Sequence, residues 1–329
     1  MNSTYKGWLT PIAFANIYII WGVTFLAITF GLKGFPPFIL SGLRFFVAGI
    51  ILFLWKRAKG EKANSLSNWK KNAITGTLIL TGGTGLVGWG EQYVTSTEAA
   101  ICIASGPFWF IALDRKNWKN YFSDRFIPIG LITGFLGLLI FLNGSVKGGH
   151  NYEVDTQTKV IAFIVIAASS IIWVTGSLYS KRNPASQSTF MNISQQLIVA
   201  GVAAFIIAGV KGEYNNFSIQ KVPVEAWYGL LYLIFFGSLI AYMSYIWLLS
   251  FKPSVLVSTH TYINPIVAVF VGFLIAGEII TSVQVAGLII ILTGVLLTNF
   301  SQYKKTFALK SRVRNIYRVI IVQIKKQAF

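Results

Sequence analysis

The side chains with chemistry to offer are few, and the deepest of them stand in apolar surroundings. "SGLRFFVAG" at 41–49 carries Arg44, and "VSTHTYINP" at 257–265 carries His260 beside Thr261, Tyr262 and Asn264. An unperturbed imidazole titrates near pH 6.5, so His260 suits proton-linked work or contact with a polar solute. Arg44 follows Pro36 by eight residues, about 12 Å along a helix rising 1.5 Å per residue. From there its side chain either snorkels outward or turns into a bundle. We read it as a structural or gating charge, held by a helix-end carbonyl, Glu91 or Glu98, and read Glu278 in the same class. Pro107 ends "TEAAICIASGP" (97–107) and Pro265 ends the His260 stretch. A proline has no N–H and clashes with the carbonyl four residues back. The Ile103 and Thr261 carbonyls are therefore expected to be free to face a solute. Trp21 and Trp173, deep in their apolar runs, are candidate cavity walls, with Tyr18 and Gln92 as candidate polar contacts.

Other chemistries lack their parts. No HExxH, GxSxG or P-loop pattern occurs, and no Cys/His cluster has metal-ligand spacing. No cofactor and no metal are expected. "GTGLVG" at 83–88 matches a dinucleotide fingerprint, but it sits inside an apolar run rather than after a strand. Its glycines read instead as a close helix–helix contact. Cys102 is the only cysteine, so no intrachain disulfide forms. The acids fall near the ends of apolar runs, where they make no convergent pair. An enzyme is not expected.

These candidates must be positioned by helices. The chain of 329 residues is 54% hydrophobic and 12% charged, too apolar for a soluble surface of that size. Ten continuous apolar runs, near 11–31, 36–55, 73–94, 97–113, 126–143, 159–179, 187–210, 226–250, 254–276 and 281–300, are each of bilayer-crossing length. They do not alternate as barrel strands would. The fold class is an all-α membrane protein with ten transmembrane helices. The first run has no cleavage site after it and reads as a retained helix. Most of the 28 Lys and Arg residues fall on one side when the N-terminus is cytoplasmic, and both termini are then cytoplasmic. The net charge of +18 is thus a matter of orientation and gives no reason to expect nucleic acid.

The chain also echoes itself. At an offset of 152, Trp21 meets Trp173, Arg44 meets Gln196, and "VAG" at 47–49 meets "VAG" at 199–201. At an offset of 158, Trp89 meets Trp247 and Pro107 meets Pro265, while Gly130 and Gly137 share their spacing with Gly287 and Gly294. Five is odd, so a second five-helix copy enters the membrane from the opposite side. Two inverted repeats meeting at the midplane are an alternating-access architecture, and paired interrupted helices mark its binding site. The expected units are a repeat at 1–145, an external linker at 146–158 and a second repeat at 159–300.

"FANIYIIWGVTF", "PPFILSGLRFFVAG" and the "P…GE…G……G" pattern of Pro265, Gly277, Glu278, Gly287 and Gly294 resemble the EamA family of the drug/metabolite transporter superfamily. The resemblance covers about residues 10–300. It implies a ten-helix, two-repeat carrier, often an exporter of amino acids or other small metabolites, with an arginine at position 44. A Gly-Glu often follows helix four in the family; here that region reads "LDRKNWKNYFSDR", and Glu278 stands alone.

Residues 301–329 have a different character. Val313, Ile316, Tyr317, Ile320 and Ile324 share one helical face among many Lys and Arg, which reads as a basic amphipathic helix on anionic lipid of the inner leaflet. The expected protein is a secondary transporter of small organic solutes in a bacterial inner membrane, compatible with a homodimer. Its rival is a membrane-embedded enzyme or assembly subunit.

Overall fold

The structure is a computed structural model, and it describes residues 3–62, 65–123, 125–147, 154–185, 188–252, 254–277, 280–294, 296–297 and 300. Glu278 and the segment 301–329 lie outside the described residues. Among those described there are helices and no strand. Six helices are long and apolar enough to cross a membrane: α1 (Trp8–Leu32), α2 (Pro37–Ala58), α4 (Ser96–Leu113), α6 (Thr156–Arg182), α7 (Thr189–Val210) and α8 (Val224–Phe251). Shorter apolar helices are α5 (Phe126–Phe141), α9 (His260–Ala276) and α10 (Ser282–Gly294). The helix α3 (residues 66–90) is less apolar because Gly and Thr fill much of it. Those small residues let it pack closely: a side chain added at Gly83 would meet the Trp173 ring at 2.9 Å.

The helix ends show why the chain turns where it does. Pro36 and Pro37 start α2, where a missing N–H costs nothing. The next two amides, of Phe38 and Ile39, donate to the Glu213 carboxylate at 3.0 and 2.9 Å, a cap supplied from the α7–α8 loop. Burial pushes that carboxyl above its usual 4.5, while the Ile39 and Phe38 amides pull it down. At the start of α4, Thr95 and Glu98 form a capping box: the Glu98 amide donates to Thr95 Oγ1 and the Thr95 amide to Glu98 Oε2.

The central contact is α2 against α7. A side chain added at Gly49 would come within 2.7 Å of the Ile198 amide nitrogen, and one at Gly201 within 2.6 Å of that of Phe46. Phe46 and Ile198 stand 152 residues apart, as the two glycines do, so each contact is the repeat-related copy of the other. Gly137 against Ile291 and Gly294 against Gly134 repeat the pattern between α5 and α10. Only glycine lets the backbones approach so closely.

Candidate functional site

A cavity of about 80 Å³ lies inside the bundle, walled by α1, α2, α3, α4, α6, α8 and α9. Three of these helices widen into π-helical stretches there: Asn16–Ile20 just before Trp21, Thr77–Gly85 in α3 and Leu233–Ala241 in α8. Such stretches leave carbonyls off the regular ladder and recur at functional sites. The Trp21 Nε1 donates to the Gly237 carbonyl at 3.2 Å, and the hydroxyls of Thr24 and Tyr232 donate to that of Ile20 at 2.8 and 3.1 Å.

The two interrupted helices meet at this cavity. The chain turns at Ala104 and Ser105, and Pro107 opens a new helical segment, Gly106–Leu113, where a proline is tolerated. In the other half the turn falls at Ser258 and Thr259, ahead of Pro265, which stays inside its helix. Ile103 and Gly106 reach the wall from one side, and His260, Thr261 and Asn264 from the other. Asn264, with its amide turned so that both ends are satisfied, places Nδ2 2.9 Å from the His260 carbonyl. The same nitrogen lies 3.1 and 3.0 Å from those of Ile17 and Tyr18. It ties the turn of α9 to the π-helical stretch of α1.

One end of the cavity is closed by aromatic rings. Trp21 meets Trp173 edge-on at 5.3 Å between centroids, Tyr245 at 5.2 Å and His260 at 4.9 Å. Tyr245 also meets Trp173 at 5.2 Å and His260 at 5.5 Å. Hydrogen bonds lock this plug. The Trp173 Nε1 donates to the Tyr245 hydroxyl at 3.0 Å, which bonds the Ser177 hydroxyl at 2.7 Å, and His260 Nδ1 bonds the Val257 carbonyl at 2.9 Å. Beyond the plug is a groove of about 170 Å³ lined by Asn72, Lys181, Asn192, Gln196 and Ile246. At the opposite end of the bundle a wide vestibule of about 550 Å³ is lined by Lys33, Trp89, Gln92, Lys211, Glu213 and Lys221.

Of the residues singled out by sequence, Trp21, Trp173, His260, Asn264 and Arg44 all reach the cavity. Three candidates lie elsewhere. Gln92 lines the vestibule, donating to the Trp89 carbonyl at 3.0 Å. Tyr18 stands outside the wall, its hydroxyl 2.7 Å from Thr259 Oγ1. Tyr262 points away, into the cluster of Ile101, Phe141 and Ile291. Helical period explains this, since 260, 261 and 264 share one face and 262 falls on the other. Glu98 does not hold Arg44, because it pairs with Lys159 at 2.9 Å. Sequence reasoning missed Ser238, Tyr242 and Tyr245. Their spacing of four and three in an apolar helix is the polar stripe that would have found them.

An apolar helical bundle around a buried, partly polar cavity is the architecture of a multi-pass membrane protein. The profile of the EamA-like transporter family matches residues 11–143 and 160–300, and the chain belongs to that family. It is 28% identical to the uncharacterized inner membrane transporter YedA of Escherichia coli over 87% of this chain and 89% of that one. It is 20% identical to a probable amino-acid metabolite efflux pump of Salmonella typhimurium, over 86% and 92%. A solved crystal structure superposes with a TM-score of 0.63 at 16% identity, covering 90% of this chain and 98% of that one, which shows a shared fold. The protein is a multi-pass inner-membrane protein, as the apolar runs together with the family resemblance led us to expect.

Proposed function

We propose that the chain is a secondary carrier that exports small organic metabolites, amino acids among them, by alternating access between two inverted five-helix repeats. The repeats are residues 1–145 and 159–300, joined by an external linker, with ten spans and both termini cytoplasmic. The observation that carries this reading is the central cavity. Both halves wall it, an aromatic plug stops one end, and a vestibule stands at the other. The crossed glycine contacts of α2 with α7 and of α5 with α10 are what a two-fold axis between inverted copies would produce, and they support the division. Two matches of one family profile to the two halves support it as well. At about 80 Å³ the cavity is smaller than the ~300–1,000 Å³ of open ligand sites, as a contracted state of a carrier would be. Export of amino acids draws on the name of the Salmonella relative. The basic segment 301–329 is assigned to anionic lipid of the inner leaflet.

Solute counterflow in proteoliposomes tests the proposal, with amino acids, nucleosides and small amphipathic compounds presented in turn and Trp21→Ala beside the wild type. Accumulation of one class, lost in the variant, is expected. No counterflow with any compound, from protein shown to be folded, would turn the reading towards an assembly subunit or membrane enzyme.

A further inference from the structure

We propose that Arg44 is the residue that recognises the solute, and that it selects compounds joining a carboxylate to an apolar body; this rests on the carrier reading above. Arg44 is 4% exposed and lies on the cavity wall. A guanidinium carries five N–H donors. Among the described residues one of them is used, Nε to Ser238 Oγ at 3.3 Å, and the group rests over the Phe45 ring at 4.7 Å. Among the described residues the ion pairs found, Lys56–Glu61, Lys159–Glu98 and Arg182–Asp114, do not include Arg44. The charge of Glu91 reaches it electrostatically.

A buried charge with so little compensation is costly, and a ligand of opposite charge relieves that cost. The guanidinium fork matches the two oxygens of a carboxylate. A dianionic phosphate would bring a second charge that one arginine leaves uncompensated. The other strong donors around the cavity are already committed: Trp21 Nε1 to Gly237, Trp173 Nε1 to Tyr245 and His260 Nδ1 to Val257. Space before the guanidinium is kept by Gly237, where an added side chain would stand 3.1 Å from Arg44 Nη2. The remaining wall, with Phe25, Ile28, Val87 and Trp173, suits an apolar body. Lys33, Lys211 and Lys221 around the vestibule add a field that draws anions to the same end.

The test pairs phenylacetate and 4-methylpentanoate with their uncharged amides. Binding to the purified full-length protein is read by tryptophan fluorescence, and counterflow in proteoliposomes is measured with the same four compounds. The acids are expected to bind at least about tenfold more tightly than the amides, the effect of a hydrogen-bonded charge. Arg44→Gln should erase the difference, and Arg44→Lys should keep part of it. Equal binding of acid and amide by the wild type, or a preference that survives in Arg44→Gln, overturns the proposal. Should Arg44→Gln fail to fold, Gly237→Ala decides: it should weaken the acids more than the amides, and equal weakening of both overturns the assignment. Selective binding without counterflow of any compound would sink the carrier reading and leave Arg44 its role. Counterflow of acids and amides alike would do the reverse.

Discussion

Gln196 in α7 gives both ends of its amide to the protein. Its Nε2 donates to Asn72 Oδ1 at 3.2 Å and its Oε1 accepts from the Tyr242 hydroxyl at 2.7 Å, beside a further bond from Asn72 to Gln195 at 2.7 Å. Arg44 stands at the matching place in α2, with more donors and a charge, and among the described residues makes one side-chain hydrogen bond. Both residues are buried. The contrast separates two jobs that a repeated fold can assign to one position. In the second half the polar group is a fastener, closing the groove side of the bundle; in the first it faces the cavity with its capacity unfilled.

Exchanging the roles should do the most damage. Gln196→Arg puts a cation among Asn72 and Tyr242, where the described groove lining holds no carboxylate, and is expected to cost about 3–5 kcal/mol as an uncompensated buried charge. A large fall in melting temperature of the detergent-solubilised protein checks it, and a variant as stable as wild type would break the comparison. Arg44→Gln is expected to leave the melting temperature unchanged or higher while acid binding drops by roughly 10–100-fold. Gln196→Leu, by contrast, should lower stability by about 1–3 kcal/mol, because Asn72 and Tyr242 each lose a buried partner. Tyr245→Phe removes the hydroxyl shared by Trp173 and Ser177, worth about 0.5–1.5 kcal/mol. It should also loosen the plug, seen as faster counterflow at equal affinity.

The smallest effect concerns Glu213 at the head of α2. Its carboxyl is raised above 4.5 in the folded chain, so the folded state binds its proton more readily than the unfolded state. Stability should therefore rise slightly as pH falls through that raised value towards 4.5. Melting curves across this window should lose the slope in Glu213→Gln, whose amide oxygen still accepts from Phe38 and Ile39.

Much of this was legible in the residues. Apolar runs of spanning length predict helices because a bilayer leaves the backbone no other way to satisfy its polar groups. Trp21, Trp173, His260 and Asn264 stood out as polar or aromatic groups in apolar spans, and they do meet. What sequence could not show was direction. Tyr262 is two residues from His260 yet faces the opposite side, and Tyr18 is one turn from Trp21 yet bonds Thr259 outside the wall. The π-helical stretches shift the helical phase just where it matters, and no single residue type announces them. Arg44 is the clearest case. Its depth in the span was readable, but whether it would snorkel outward or turn inward was not. Whether Glu91 or Glu98 would hold it depended on Lys159 having already claimed Glu98.

Alternating access makes one demand that a static binding pocket does not: the cavity must be reachable from each side in turn. A single cysteine at the cavity wall, Ser170→Cys with Cys102 replaced by serine, can be labelled by a membrane-impermeant thiol reagent from either face of oriented vesicles. The account predicts labelling from both faces, with a transported solute shifting the balance between them. Labelling from one face alone, unchanged by any solute that binds, would contradict it.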